Sequence, residues 1–165
     1  MFLSILNEVI LSGWQTTGIF TWQDGLPFTI GYGTNQAANG ISGLDRANII
    51  GNPSLPGDRS TGAELLEWFN AAAFVPAAPG SYGDTARDLL RGPGLTNLDF
   101  AMIKSFPIGI GSKEAQHIDF RAEFFNLFNH PNFANPGSTL GTPTFGRILS
   151  AGSPRIVQLA LKIVF

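Results

Sequence analysis

His117, Asp119, Arg121 and Glu123 occupy alternate positions in the stretch HIDFRAEFF. An imidazole, two carboxylates and a guanidinium are the groups that acid–base catalysis or metal ligation would use. Their spacing argues against both. On an extended strand, alternate side chains share a face but stand about 7 Å apart, so a compact metal shell needs ligands from neighbouring strands as well. The expectation is therefore a solvated polar row, paired across strands with Asp99 or Lys162.

Other candidate chemistry is sparse. His130 lies in NHPNF, where Asn129, Pro131 and Asn132 predict a turn that packs it. The glycines of GYG, GIG and RGPG lack the Lys and Ser/Thr of a phosphate loop and open no helix in a βαβ setting. No G-x-S-x-G elbow occurs, and His numbers only 2. With Cys at 0, thiolate nucleophiles, disulfides and Cys-based zinc sites are excluded. The chain is expected to be no enzyme, with no cofactor and no resident metal.

Composition turns attention from sites to surfaces. Charged residues make up 13% of the 165 residues, about half the share usual in soluble domains, while Phe occurs 14 times. Gly at 20 and Pro at 11 are too frequent for a helical bundle and suit loops between strands. A net charge of −2 supplies no attraction to nucleic acid. The opening MFLSILNEVILSGW has no cationic start and contains Glu8, so it reads poorly as a signal peptide, and export information is expected outside this chain. No uninterrupted apolar stretch reaches the roughly 18 residues that a membrane helix needs.

Strands are what the patterning predicts. Residues 13–23, 97–106, 117–128 and 155–165 alternate apolar and polar with a period of two. Globular strands average about 5 to 6 residues, whereas a tilted strand crossing a bilayer needs about 9 to 11. These runs have the second length. Connections 24–96 and 129–154 are long and 107–116 is short, as in outer-membrane barrels, which carry long extracellular loops and short periplasmic turns. On that assignment Phe165 ends in the periplasm and the row from His117 to Glu123 faces the lumen. Residues 1–12 are then a periplasmic turn or the end of a preceding strand.

Two details fit this frame. Trp14 and Trp22 share a face near opposite ends of the first run, separated by roughly 26 Å at about 3.3 Å per residue, close to the lipid-facing band of about 25 Å between aromatic girdles. Lys104 interrupts the apolar line Leu98, Phe100, Met102 near the periplasmic end, where its ammonium is expected to snorkel to the interface. Within the first long connection, Thr61 and Glu64 match a T-x-x-E capping box and predict a helix of about two turns.

The closing run places Val157, Leu159, Leu161, Ile163 and the terminal Phe165 on one face. It resembles the C-terminal signature by which the outer-membrane assembly machinery recognises barrels. The phrases GWQTTGIFTWQDGLPFTI, WFNAAAFVPAAPGSYG, LLRGPGLTNLDFAMIKSF, FRAEFFNLFNHPNF and FGRILSAGSPRIVQLALKIVF resemble, in this order, the C-terminal end of TonB-dependent receptors of the Oar-like branch. That resemblance covers residues 13–165. It implies an all-β fold: four long antiparallel strands forming part of a transmembrane β-barrel, with the helix in the first loop. It also implies location in the outer membrane and energised uptake, with lipid, the barrel assembly machinery and the remainder of the receptor as partners. The plug and the TonB box of that family are not in this sequence. A secreted β-sandwich that binds polysaccharide and a porin-like barrel without TonB coupling are the alternative readings. Trp68, Phe69, Phe74 and Tyr82 are candidate substrate contacts that loop packing explains equally well; the substrate itself is open.

Overall fold

The computed structural model describes residues 11–40, 45–108 and 116–165. In chain order the strands are β1 (Trp14–Gln23), β2 (Pro27–Phe28), β3 (Gly31–Tyr32), β4 (Asp45–Arg46) and β5 (Asn48–Ile49), followed by the helix α1 (Thr61–Leu66) and a 3-10 turn (Ala71–Ala73). Then come β6 (Phe74–Val75), β7 (Leu90–Arg91), β8 (Leu95–Pro107), β9 (His117–Phe125), β10 (Thr139–Leu140) and β11 (Ile156–Val164). The chain forms two compact units, Met1–Trp22 with Thr96–Pro131 and Ser153–Phe165, and Gln23–Leu95 with Asn132–Gly152.

The first unit holds the four long strands, β1 with 10 residues, β8 with 13, and β9 and β11 with 9 each. They form one sheet in the order β1-β8-β9-β11. β8 and β9 are antiparallel, with Met102 opposite Ala122, and β9 and β11 are antiparallel, with Ala122 opposite Leu159. The Ser105 amide donates to the Gly13 carbonyl at 3.0 Å, while Gly18 lies beside Phe100. β1 therefore runs against β8. The four alternating runs thus pair in the order a meander requires, and the residues of the short link 109–115 and of the opening 1–10 lie outside the described residues.

β9 stops at Phe125, three residues short of the run read from alternation. The reason is local: Asn126 and Asn129 take φ of 52° and 53°, a left-handed conformation that short polar side chains tolerate best. Asn126 is buried and fully engaged. Its backbone amide donates to Asp99 Oδ1 at 2.9 Å, its side-chain amide donates to the His130 carbonyl at 2.9 Å, and its Oδ1 accepts from the His130 amide at 3.0 Å. The apolar residues Leu127 and Phe128 therefore lie beyond the strand.

The second unit has its own core. Phe28, Ile30, Ala47, Phe69, Ala73 and Phe74 are buried together, with Trp68, Leu90 and Phe145 packed against them. Phe69 is the hub, its ring 5.7 Å from that of Phe74 and 5.1 Å from that of Phe145, both edge to face. Each such pair adds about 0.5 to 1.5 kcal/mol beyond the burial of its area. Around this core, short ladders pair β2 with β7, β5 with β6, and β3 with both β4 and β10. Long connections thus become ordered structure, because they carry enough aromatic area to bury.

The helix begins one residue earlier than the capping box implies. Ser60 is the N-cap, its hydroxyl accepting from the Ala63 amide, and Thr61 is the first helical residue. Arg59 closes the other end by donating to the Glu67 carbonyl at 2.7 Å, one of the acceptors that a helix C-terminus leaves open.

Candidate functional site

Cross-strand register sorts the long strands into two faces. On one, Val157, Phe124 and Phe100 form a row, followed by Leu159, Ala122 and Met102, and by Ile163, Ile118 and Phe106. Trp14 belongs to the same face, because its ring lies 5.4 Å from the ammonium of Lys104, and the two-residue period carries Phe20 and Trp22 with it. On the opposite face stand Gln158, Glu123 and Ala101, then Lys162, Asp119 and Ser105.

Among the described residues, no second layer packs on the apolar face. Leu161 is 66% exposed and Phe165 is 91% exposed, and Val157, Leu159 and Ile163 are exposed with them. In a soluble sandwich these side chains would interdigitate with another sheet about 10 Å away. Here their only lateral support is the neighbouring strand. Bare apolar area of this extent marks a surface meant for a partner or a membrane.

The polar row pairs along its own strand more than across it. Arg121 Nη2 lies 2.6 Å from Glu123 Oε1, and His117 Nε2 lies 3.4 Å from Asp119 Oδ2. Ser105 Oγ donates to Asp119 Oδ1 at 2.6 Å. Lys162 stands opposite Asp119 in the strand register, and Asp99 is occupied elsewhere, accepting from Asn97 Nδ2 at 2.8 Å and from the Asn126 amide. Among the described residues, no group of three or more His, Asp or Glu side chains comes together as a metal shell. Along β9 the row therefore holds an Arg121–Glu123 ion pair and a His117–Asp119 contact.

Lys104 departs from the expectation of a solvated ammonium. It is 2% exposed, its Nζ donates to the Ser12 carbonyl, and the charge sits 5.4 Å from the ring centre of Trp14 and 5.3 Å from that of Phe106. Instead of reaching outward to the interface, the side chain is satisfied by a carbonyl and two aromatic faces. Cation–π contacts of this kind contribute about 0.5 to 2 kcal/mol each. Only the tertiary partner Ser12, remote in sequence, makes this possible.

Of the four loop aromatics, Phe69 and Phe74 are buried in the core of the second unit, and Trp68 is partly buried, its Nε1 donating to the Arg91 carbonyl at 2.8 Å. Tyr82 alone among them is well exposed. The sequence reading missed the Asn126 turn, although the cluster Asn126, Asn129, Pro131 and Asn132 is a breaker signal that outweighs the alternation running through it.

Strands of bilayer-crossing length, one lipid-compatible face, one wet face and no second layer define a segment of a transmembrane β-barrel. The chain belongs to the outer membrane beta barrel domain family, whose model matches residues 2–158. It is a protein of the outer membrane. No helix among the described residues is long and apolar enough to cross a membrane. No curated protein and no solved structure matches the chain.

Proposed function

We propose that the chain is the C-terminal wall of a TonB-dependent receptor of the Oar-like group, a transporter that takes up its substrate at the expense of the inner-membrane motor. The observation that carries this reading is the sheet itself: an apolar face spanning four strands and interrupted at Lys104, with β1 and β11 each paired on one side only among the described residues. Bacterial barrels start at about 8 strands, and each backbone group left unpaired in hydrocarbon costs several kcal/mol. The two edges therefore call for further strands, and the remainder of the receptor supplies them. Support also comes from the ordered series of phrases shared with that family, and from the long connections, which fold as receptor loops do on the cell surface.

In this reading the chain performs no catalysis and binds no nucleic acid. Its apolar face meets outer-membrane lipid, and its last strand, with Val157, Leu159, Leu161, Ile163 and Phe165, is what the barrel assembly machinery grips. The His117, Asp119, Arg121 and Glu123 row wets the lumen and faces the plug. Carbonate extraction of outer membranes from the source cell, followed by detection of this segment, tests the placement: retention on a band larger than the chain is expected. Sequencing the gene upstream tests the coupling, since a reading frame without a plug and TonB box would leave a porin-like barrel instead.

A further inference from the structure

Among the described residues of the four long strands, Lys104 is the one charged side chain on the apolar face. It is wrapped at one end of the β1–β8 pair, where the Ser12 carbonyl accepts from its ammonium and the rings of Trp14 and Phe106 stand beside it. Gly13 makes that wrapping possible. Its φ is 71°, and a Cβ there would stand 2.8 Å from the Ser105 carbonyl oxygen, so both the turn and the close approach favour glycine. The turn lays the preceding carbonyl over Nζ.

Two devices that commonly fix strand register leave this pair undetermined. The Ser105 amide bonds the Gly13 carbonyl, which sets Trp14 opposite Lys104, Thr16 opposite Met102 and Gly18 opposite Phe100. A slip of one residue would turn the apolar side chains of β1 to the wet face, so alternation forbids it. A slip of two residues keeps both faces. Trp14, Phe20 and Trp22 would still lie among Leu98, Phe100, Met102 and Phe106, and alternation is blind to the change. The tight turn that fixes register in a hairpin does not apply either, because residues 24–94 lie between the two strands.

Lys104 tells these pairings apart. Moved by two residues in either direction, its ammonium would stand opposite Ser12 or Thr16, and would lose both the Trp14 ring and the carbonyl that Gly13 aims at it. A cation without partners on a lipid-facing surface is costly, so the slipped pairings are penalised where the apolar side chains are indifferent. We infer that Lys104 is the register key of this sheet: its buried charge selects the one β1–β8 pairing that supplies partners, and so fixes the stagger on which barrel closure depends. This role belongs to any barrel built on the sheet, with or without a plug.

Paired cysteines in the whole barrel read the register, and the chain has none of its own. Thr16→Cys with Met102→Cys reports the observed pairing, Thr16→Cys with Phe100→Cys a slip one way, and Gly18→Cys with Met102→Cys a slip the other way. Directly opposed residues of this kind have Cα atoms about 4.5 Å apart, within the roughly 4.4 to 6.8 Å that a disulfide spans, whereas a neighbour displaced by two residues lies about 7 to 8 Å away. Each pair is oxidised after assembly in the outer membrane, and the cross-link is quantified by peptide mass spectrometry. With Lys104 in place, the observed cross-link should exceed both slipped ones by about tenfold or more. Lys104→Met should bring a slipped cross-link to within about threefold of it, and Lys104→Arg, which keeps the charge and stacks on aromatic rings, should restore the preference. A parent barrel without the preference, unchanged selectivity in Lys104→Met, or equal loss in Lys104→Arg would each overturn the assignment. So would failure of Lys104→Met to assemble at all, because the residue would then support stability and not register.

Discussion

The side-chain amide of Asn126 donates to the carbonyl of Ser153 at 3.3 Å, joining the end of β9 to the segment that leads into β11. With Asp99, His130 and Ser153 all bonded to one buried Asn in a left-handed conformation, this residue sets where two strands end and how they come side by side. The neighbouring Asn129 acts in the same way, its Oδ1 accepting from the Arg155 amide at 2.9 Å.

Asn126→Ala is expected to destabilise the strand pair by about 2 to 4 kcal/mol, combining a left-handed backbone penalty of about 1 to 2 kcal/mol with buried groups left unpaired. Asn126→Gly should recover the backbone part alone. Urea unfolding of the whole barrel in micelles, with each substitution in place, measures both, and equal stability of the two variants would mean that the φ of 52° carries no cost.

The two faces of β11 should respond oppositely to charge. Leu161→Arg places a guanidinium on the apolar face near mid-strand and is expected to cost about 2 to 4 kcal/mol, whereas Gln158→Arg on the wet face should cost under about 1 kcal/mol. Refolding titrations in lipid vesicles of the whole barrel that carries each substitution decide it. Similar losses at the two positions would remove the distinction between lipid and lumen on which the membrane placement of this sheet depends.

The second unit should be sensitive at its aromatic hub. Phe69→Ala is expected to cost about 3 to 5 kcal/mol and to abolish the near-ultraviolet dichroism of the ring cluster, while Phe69→Leu keeps most of the volume and loses less. An unchanged spectrum in the alanine variant would show that the four phenylalanines do not form one packed core.

Phe165→Ala tests the terminal aromatic. Membrane insertion catalysed by the assembly machinery is expected to slow several-fold, while spontaneous refolding into thin-lipid vesicles changes little, because Phe165 is 91% exposed and adds almost nothing to packing. Equal slowing in both assays would assign the residue to stability and not to recognition.

Local patterning carried much of this architecture. Alternation over residues 13–23, 97–106 and 155–165 located β1, β8 and β11 to within two residues at each end, because the two-residue period is a property of the extended backbone itself. The family match then agreed with the barrel that strand length had implied. The long connections gave up less in advance. Their core depends on Phe28, Phe69, Phe74 and Phe145 meeting from distant positions, and no period records such a meeting.

Lys104 and Asn126 mark the boundary between the two kinds of information. Which residues alternate, how long each strand runs and which face is apolar follow from the order of side chains along a backbone that pleats the same way everywhere. That Lys104 meets the Ser12 carbonyl and that Asn126 halts β9 by bonding Asp99 and Ser153 was decided by folding. Those partners lie far away along the chain, and a polar group that leaves water binds whatever donor or acceptor the packed structure brings within reach.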